Sequence, residues 1–460
     1  MDLERLFYPR SIAVVGASPR LEGGKLPYYQ LTKGFGYKGK LYPVHPKHKL
    51  VDNDPVYPSL SAIPGPVDLA IMVVPAHSVL EAFKDAVDKE VGFVHFFTSG
   101  FSEIGNRDLE ESLLNLMHRG KTRIVGPNCL GVMCSEARTT ISPHAEPRDG
   151  GTVAFMGQSG GLCENFVSLA NSRGIATNKA VSFGNQIDLK VEDYLEYFGN
   201  DDRIKVIGAY IEDVKCGRRF IEVLKAAASK KPVIILKGGS TAMGAKAAAS
   251  HTGAMAAPHR IFSSVLKQCG CIEVDTLERL MDVVMLATSS SFPQGSNAAY
   301  VVGGGGASVV STDVAARYEL DFPELLPETR RLIGEKIMDV NTSTANPVDL
   351  GIFAFDPKIL LHTINQLGKD DNIDFIVPQF TVGSAFMKPE YKQEEVDRLM
   401  EGLKKPLIPV VSRITENSLF HEEYRIGLVS VLRNAGLPVY SSMSEAAYAI
   451  RKLLDWRSFA

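Results

Sequence analysis

Apolar runs along the chain are short and rich in β-branched residues, and they end on small turn residues that pass directly into helix-compatible segments. The clearest copies are Ile12 to Ser18, Val153 to Gly161 and Ala299 to Ser308, spaced roughly 140–150 residues apart, about one domain each. Between them, further apolar runs end in turns at Leu41 to Pro46, Leu69 to Pro75, Phe93 to Gly100 and Arg123 to Asn128. The second stretch adds Lys179 to Gly184, Ile204 to Ile211 and Pro232 to Leu236; the third adds Ile373 to Phe380, Leu407 to Val411 and Pro438 to Tyr440. Helical patterns such as Val79 to Asp88 and Thr276 to Thr288 alternate with these strands. Alternation of this kind predicts parallel sheets built through right-handed crossovers, an α/β chain of doubly wound domains. Pro- and Gly-bearing stretches at Ser142 to Gly151 and Ser289 to Asn297 place the boundaries, giving domains at 1–145, 146–292 and 293–460.

Composition narrows the function classes. Fifty Lys and Arg against 53 Asp and Glu leave a net charge of −3, which offers no electrostatic case for nucleic acid or an anionic membrane. Six cysteines without paired CxxC spacing are too sparse for a disulfide framework, so a reducing, cytoplasmic setting is expected. No apolar run approaches the ~20 residues that cross a bilayer, and the N-terminus lacks a signal-peptide pattern.

In open α/β sheets ligands bind beyond the carboxyl ends of the strands. At the end of the first strand, Gly16, Ala17 and Ser18 let backbone N–H groups approach an anion. The G-x-G-x-x-G spacing of a dinucleotide site is missing, and the second strand ends in Lys47, where a NAD site calls for an acid. A basic residue there suits the ribose 3′-phosphate and pyrophosphate of coenzyme A. Two more polar turns, Thr98-Ser99-Gly100 and Gly126-Pro127-Asn128-Cys129, end strands at the same edge. Ser99 and Asn128 have the chemistry to bond pantetheine amides, and Cys129 reads as a small buried residue rather than a nucleophile.

In the second domain, Gln158-Ser159-Gly160-Gly161 sits where a strand passes into a helix, which offers backbone donors and the positive helix end to a phosphate. The segment from Gly238 to Ala257 is almost all Gly, Ala, Ser and Thr, with His251 in its midst. Such a segment suits either a close-fitting helix or a moving loop. Glu212, at the end of a neighbouring strand, is placed to bond one imidazole nitrogen and leave the other nucleophilic. Histidine, carboxylate and phosphate seat together describe a phosphohistidine site. Phe183-Gly184-Asn185 reads as a strand-end turn, and the glycine run Gly303 to Gly306 reads equally as a phosphate loop or a close packing contact.

Seven short motifs, Val-Gly-Ala-Ser, Val-His-Pro-Lys, Thr-Ser-Gly-Phe, Gly-Pro-Asn-Cys-Leu-Gly, Gln-Ser-Gly, Ser-His-Thr-Gly and Asn-Pro-Val-Asp, occur in the order seen in NDP-forming acyl-CoA synthetases. Over essentially its whole length the chain resembles their α subunits, which are related to that of succinyl-CoA synthetase. The resemblance implies a CoA-binding Rossmann-like domain followed by two flavodoxin-like domains. It implies coenzyme A held along Gly16 to Ser18, Lys47, Val74, Pro75, Thr98 to Gly100 and Asn128, with phosphate at Gln158 to Gly161. His251 would carry the phosphoryl group, Glu212 would support it, and Gly184 and Asn185 would line the acyl pocket. No metal ligands are expected on this chain. ADP or ATP, with Mg, is expected on a separate ATP-grasp β subunit, so that acyl-CoA or a small carboxylic acid is turned over by a hetero-oligomer. Departures from the family's usual pattern fall at His45, Gly157, Ala254 and Ala257-Pro258-His259. They keep a second reading open, a CoA-binding or regulatory protein without turnover.

Overall fold

The computed structural model describes residues 2–19, 27–146, 148–252, 258–338, 340–383, 388–415 and 417–459, except the side chains of 249–252. The first sheet is built from β1 (Ser11–Val15), β2 (Lys40–Val44), β5 (Leu69–Met72), β6 (Phe93–Phe96) and β7 (Arg123–Val125); β3 (Leu50–Val51) and β4 (Asp54–Pro55) form a small hairpin beside it. Its order, β2-β1-β5-β6-β7, is parallel throughout. Every residue of β1, β5 and β6 is buried, as expected for strands covered on both faces.

The second sheet takes β8 (Gly131–Cys134), β9 (Val153–Gly157), β10 (Thr177–Ser182), β11 (Val206–Ile211), β12 (Val233–Lys237) and β13 (Ile272–Val274) in the order β13-β12-β11-β9-β10-β8. Five strands are parallel, and β8 pairs antiparallel with β10 at the edge. The sequence pattern did not predict β8 or β13. Both sheets lie within one compact unit, Met1–Met281. The Gly126 to Leu130 turn joins β7 of the first sheet to β8 of the second and is held by both. Asn128 N donates to Thr98 O (3.1 Å), and Leu130 N donates to Ser182 Oγ (3.1 Å).

The second unit, Asp282–Phe459, carries β14 (Ala298–Val302), β15 (Val348–Asp349) and β16 (Phe375–Pro378) in the order β15-β14-β16. Parallel bridges continue this sheet through Leu407 and Val410 to Tyr440, the two further segments read from the sequence. The glycine run here is a packing contact: a Cβ on Gly303 would fall 2.5 Å from the Ala354 methyl. Gly304 N donates to Asp349 Oδ1 (2.7 Å), which also accepts from Gly351 N (2.9 Å). A carboxylate already takes the place an anion would want. Among the described residues no helix is long and apolar enough to cross a membrane, and no group of acids, histidines and cysteines has metal-site geometry.

Candidate active site

Two cavities open at the carboxyl edges of the first unit's sheets. The larger, about 520 Å³, is lined by Gly16, Ser18, Lys47, Val74 and Pro75 among others, including His45, His48 and Ser78. Gly16 has φ +90°, and a Cβ there would sit 2.5 Å from Val73 O, so only glycine lets the first turn pass this close to β5. Ala17 is buried beside this turn, with its N–H on Val44 O (3.3 Å). Lys47 is exposed at the rim, following His45, whose Nδ1 accepts from the N–H groups of Lys47 (3.1 Å) and His48 (3.3 Å). Gly16 N also donates to Val44 O (2.8 Å), so the N–H groups of Gly16 and Ala17, expected from the sequence to face an anion, are taken by the neighbouring strand; Lys47, His45 and His48 share the cavity lining with Glu81 and Asp85.

Thr98, Ser99 and Gly100 do not line this cavity. Thr98 is buried with its hydroxyl on Val74 O (2.6 Å), where it braces the cavity wall from behind. Ser99 is exposed, and Gly100 takes φ +107°.

The smaller cavity, about 220 Å³, collects Asn128, Gln158, Ser159, Gly160, Gly161, Gly184 and Asn185, with Phe97, Cys129 and Leu130 completing the wall. These residues come from four turns spread over 89 positions of sequence, and each turn is fixed by its neighbours. Gly184 has φ +49° and its Cβ would fall 2.1 Å from Pro127 O, so the strand-end turn is pressed onto the Asn128 loop. Asn185 N donates to Pro127 O (3.0 Å). His95 props the same loop from below: it is wholly buried, its Nε2 lies 2.9 Å from Cys129 O, and burial lowers its pKa to about 4. The imidazole is therefore neutral and donates through Nε2. Burial also pushes the Cys129 thiol up to about 12, so it is no thiolate nucleophile.

The helix Gly160–Ser172 points its N-terminus into this cavity wall. Ser159 is its N-cap, with Oγ accepting from Leu162 N (3.4 Å). The N–H groups of Gly160 and Gly161 take no partner among the described residues. At Gly161 a Cβ would meet nothing within 4 Å, so the cavity reaches the bare helix end.

Gln158 links this seat to Glu212. Its Oε1 accepts from the backbone N–H groups of Glu212 (2.8 Å) and Asp213 (3.0 Å). The Glu212 side chain is buried, its Oε1 accepting from Tyr210 OH (2.9 Å) while Oε2 has no partner among the described residues. Leaving a buried polar oxygen unpaired costs about 1–3 kcal/mol, so this atom has room for a further donor. Gly238 makes the room, since a Cβ there would lie 2.5 Å from Tyr210 Oη and 2.9 Å from Glu212 Cγ. Below it Lys237 is buried with Nζ on Glu212 O (2.9 Å), and burial lowers its pKa.

The small-residue segment forms a helix, Ala242–Thr252, capped by Thr241, whose Oγ1 accepts from Gly244 N (3.0 Å). It lies against the short turn Ser102–Ile104, and no side chain from Thr241 to Ala248 is buried; Met243 is 86% exposed. His251 is in the last turn of this helix. Its side chain, and Gly253 with the rest of 253–257, lie outside the described residues.

Sequence reasoning missed three groups. Asn185 Nδ2 donates to Glu103 Oε2 (2.7 Å) and Glu110 Oε1 (2.9 Å), acids 82 and 75 residues away in sequence. Burial works to raise the Glu103 pKa, but hydrogen bonds from Asn185 and from Gly100 and Phe101 N–H outweigh it and hold the carboxyl below its usual range. The third group is Lys237. No sequence spacing signals such contacts, which only the fold brings together.

Comparison with known proteins follows the same division. A model described as a CoA binding domain matches residues 10–135, and one described as a succinyl-CoA ligase like flavodoxin domain matches residues 150–287. The α subunit of ADP-forming acetate–CoA ligase I from Pyrococcus furiosus is 33% identical over 99% of this chain and 98% of its own length. The ADP-forming acetate–CoA ligase I of Archaeoglobus fulgidus is also 33% identical, but the match spans 82% of this chain and only 55% of that longer protein. Among solved structures, acetyl-coenzyme A synthetase 1 of Ca. Korarchaeum cryptofilum, in complex with phosphate and ADP, aligns over 99% of this chain and 97% of its own at 31% identity, with a TM-score of 0.87. The chain belongs to the ADP-forming acyl-CoA synthetases, and it matches their α subunits end to end.

Proposed function

We propose that this chain is the subunit of an ADP-forming acyl-CoA synthetase that binds coenzyme A and phosphate and carries the phosphoryl group on His251. The observation that supports this best is the link from the smaller cavity to Glu212: the N–H groups of Gly160 and Gly161, without partners among the described residues, open on the cavity, and Gln158, in its wall, holds the backbone of the residue whose buried Oε2 likewise lacks a partner among them.

In the proposed cycle, phosphate at the Gly160 helix end attacks the thioester carbonyl carbon, the C–S bond breaks, and coenzyme A leaves as the thiol after gaining a proton. The acyl phosphate is then attacked at phosphorus by an imidazole nitrogen of His251, and the P–O bond to the acyl group breaks to release the carboxylate. The other ring nitrogen holds a proton that Glu212 Oε2 accepts as a hydrogen bond, which stabilises the positive charge developing on the ring. Transfer from phosphohistidine to ADP gives ATP and restores the free ring. The larger cavity, from Gly16 and Ser18 to Lys47, Val74 and Pro75, would hold the nucleotide end of coenzyme A. Asn128, Gly184 and Asn185 would hold the thioester and acyl group. The 1–145, 146–292 and 293–460 division serves this cycle as CoA-binding, phosphohistidine and second flavodoxin-like domains.

Relatives named as α subunits support a partner subunit, and we infer that it is an ATP-grasp chain bringing ADP or ATP with Mg. Six unpaired cysteines and the substrates themselves favour the cytoplasm. The helix Ala242–Thr252, with no buried side chain up to Ala248 and with His251 in its last turn, favours turnover over passive binding, because a carrier must leave one pocket for another. The test is incubation of the chain with acyl-CoA and labelled phosphate. Acid-labile, base-stable label should appear on the wild type and be absent from His251→Ala; label that survives this change sinks the assignment.

A further inference from the structure

Gln158 faces two ways. Its Oε1 takes two backbone N–H donors, from Glu212 and Asp213, so the oxygen must lie on that side. Its own backbone N–H donates to Tyr210 O (3.1 Å), which fixes the residue between β9 and β11. The NH₂ group is therefore the opposite pole, and Nε2 has no acceptor among the described residues although the side chain is only 6% exposed. Gln158 is also part of the wall of the smaller cavity, beside the bare N–H groups of Gly160 and Gly161. An anion seated there meets Nε2–H, while the other end of the same conjugated amide holds the backbone of Glu212.

We propose that Gln158 is a positioning residue that ties occupancy of the phosphate seat to the placement of Glu212, a role that rests on the function assigned above. An anion on Nε2–H polarises the amide and strengthens Oε1 as an acceptor, the cooperative behaviour of linked hydrogen bonds. Loss of Oε1 would leave two backbone N–H groups at the Glu212 turn unpaired, and the carboxylate would lose its fixed approach to the imidazole. The carrier is thus offered a well-placed Glu212 chiefly when phosphate or a phosphoryl group is in its seat.

Site-resolved hydrogen exchange of the full chain, read at the Glu212 and Asp213 amides with and without inorganic phosphate, tests this. In the wild type, phosphate should slow both amides roughly fivefold. Gln158→Glu keeps an oxygen on the two N–H groups but has no donor for the anion, so basal protection should persist while the phosphate effect vanishes. Gln158→Met should lose the basal protection as well. In phosphate-dependent labelling both variants should raise the phosphate KM, and the maximal rate should fall roughly tenfold further in Gln158→Met than in Gln158→Glu. Phosphate-dependent slowing that survives in either variant, no slowing in the wild type, or equal basal exchange in wild type and Gln158→Met would overturn the coupling. Absence of label on wild-type His251 would instead overturn the synthetase reading, and the exchange data would still decide the coupling.

Discussion

Asn185 gives both hydrogens of its amide to acids, with Nδ2 2.7 Å from Glu103 Oε2 and 2.9 Å from Glu110 Oε1. Carboxylates only accept, so the amide, part of the smaller cavity's wall, is locked with its carbonyl oxygen turned from them. Replacing both acids by glutamine supplies donors that allow the amide to turn over. The Glu103→Gln, Glu110→Gln variant should raise the KM for acyl-CoA roughly fivefold while the dissociation constant for free coenzyme A stays put. Steady-state kinetics with a parallel CoA titration would check this; an unchanged KM would show that the amide orientation does not matter.

Gly184 bears the contact between the strand-end turn and the Asn128 loop. Ala in its place meets a positive φ and a carbonyl oxygen 2.1 Å from its methyl, which together cost more than the ~1–3 kcal/mol of backbone strain alone. Thermal unfolding of Gly184→Ala should drop in Tm by roughly 5 °C or more. Gly161→Ala, whose methyl meets nothing, should unfold close to wild type.

Lys47 stands exposed at the rim of the larger cavity. If it meets the ribose 3′-phosphate, Lys47→Ala should weaken coenzyme A binding roughly fivefold and leave dephospho-CoA, which lacks that group, bound as before. Calorimetric titration with the two ligands separates this contact from a general loss of positive charge, which would weaken both.

The buried pair Lys179 and Asp201 predicts an acid limit to stability. Burial works to raise the Asp201 carboxyl, but hydrogen bonds from Arg203 and Lys179 outweigh it and hold the group at about 2, against 3.8 when free. A depressed carboxyl stabilises fully above its unfolded pKa and loses that contribution as pH falls through the folded one. Stability measured by urea unfolding should therefore decline between about pH 4 and pH 2, and Asp201→Asn should flatten that decline while lowering stability at neutral pH.

Much of this architecture is readable in the residues, because β1, β9 and β14 each announce themselves as a largely apolar run, buried throughout, breaking into glycine or serine. The cavity-lining turn Gln158 to Gly161 is legible for the same reason: it sits at a strand end, where parallel sheets place their ligands. Strand β8 is not legible. Its four residues, Gly131–Cys134, follow so closely on the Asn128 turn that they read as its tail, and their pairing partner β10 lies more than forty residues on. Glu103 and Glu110 escape notice because acids in an exposed-looking helical stretch are ordinary until a distant asparagine is folded onto them. The glycine run at 303–306 stays open at the level of sequence, since composition cannot distinguish a seat for phosphate from a seat already taken by Asp349.

His95, sealed beneath the Gly131 backbone, titrates near 4 and so keeps one protonation state from mildly acidic to alkaline solution. The floor under Asn128 and Leu130 is consequently blind to cellular acidity. Any pH dependence over the physiological range therefore has its origin in groups other than this ring.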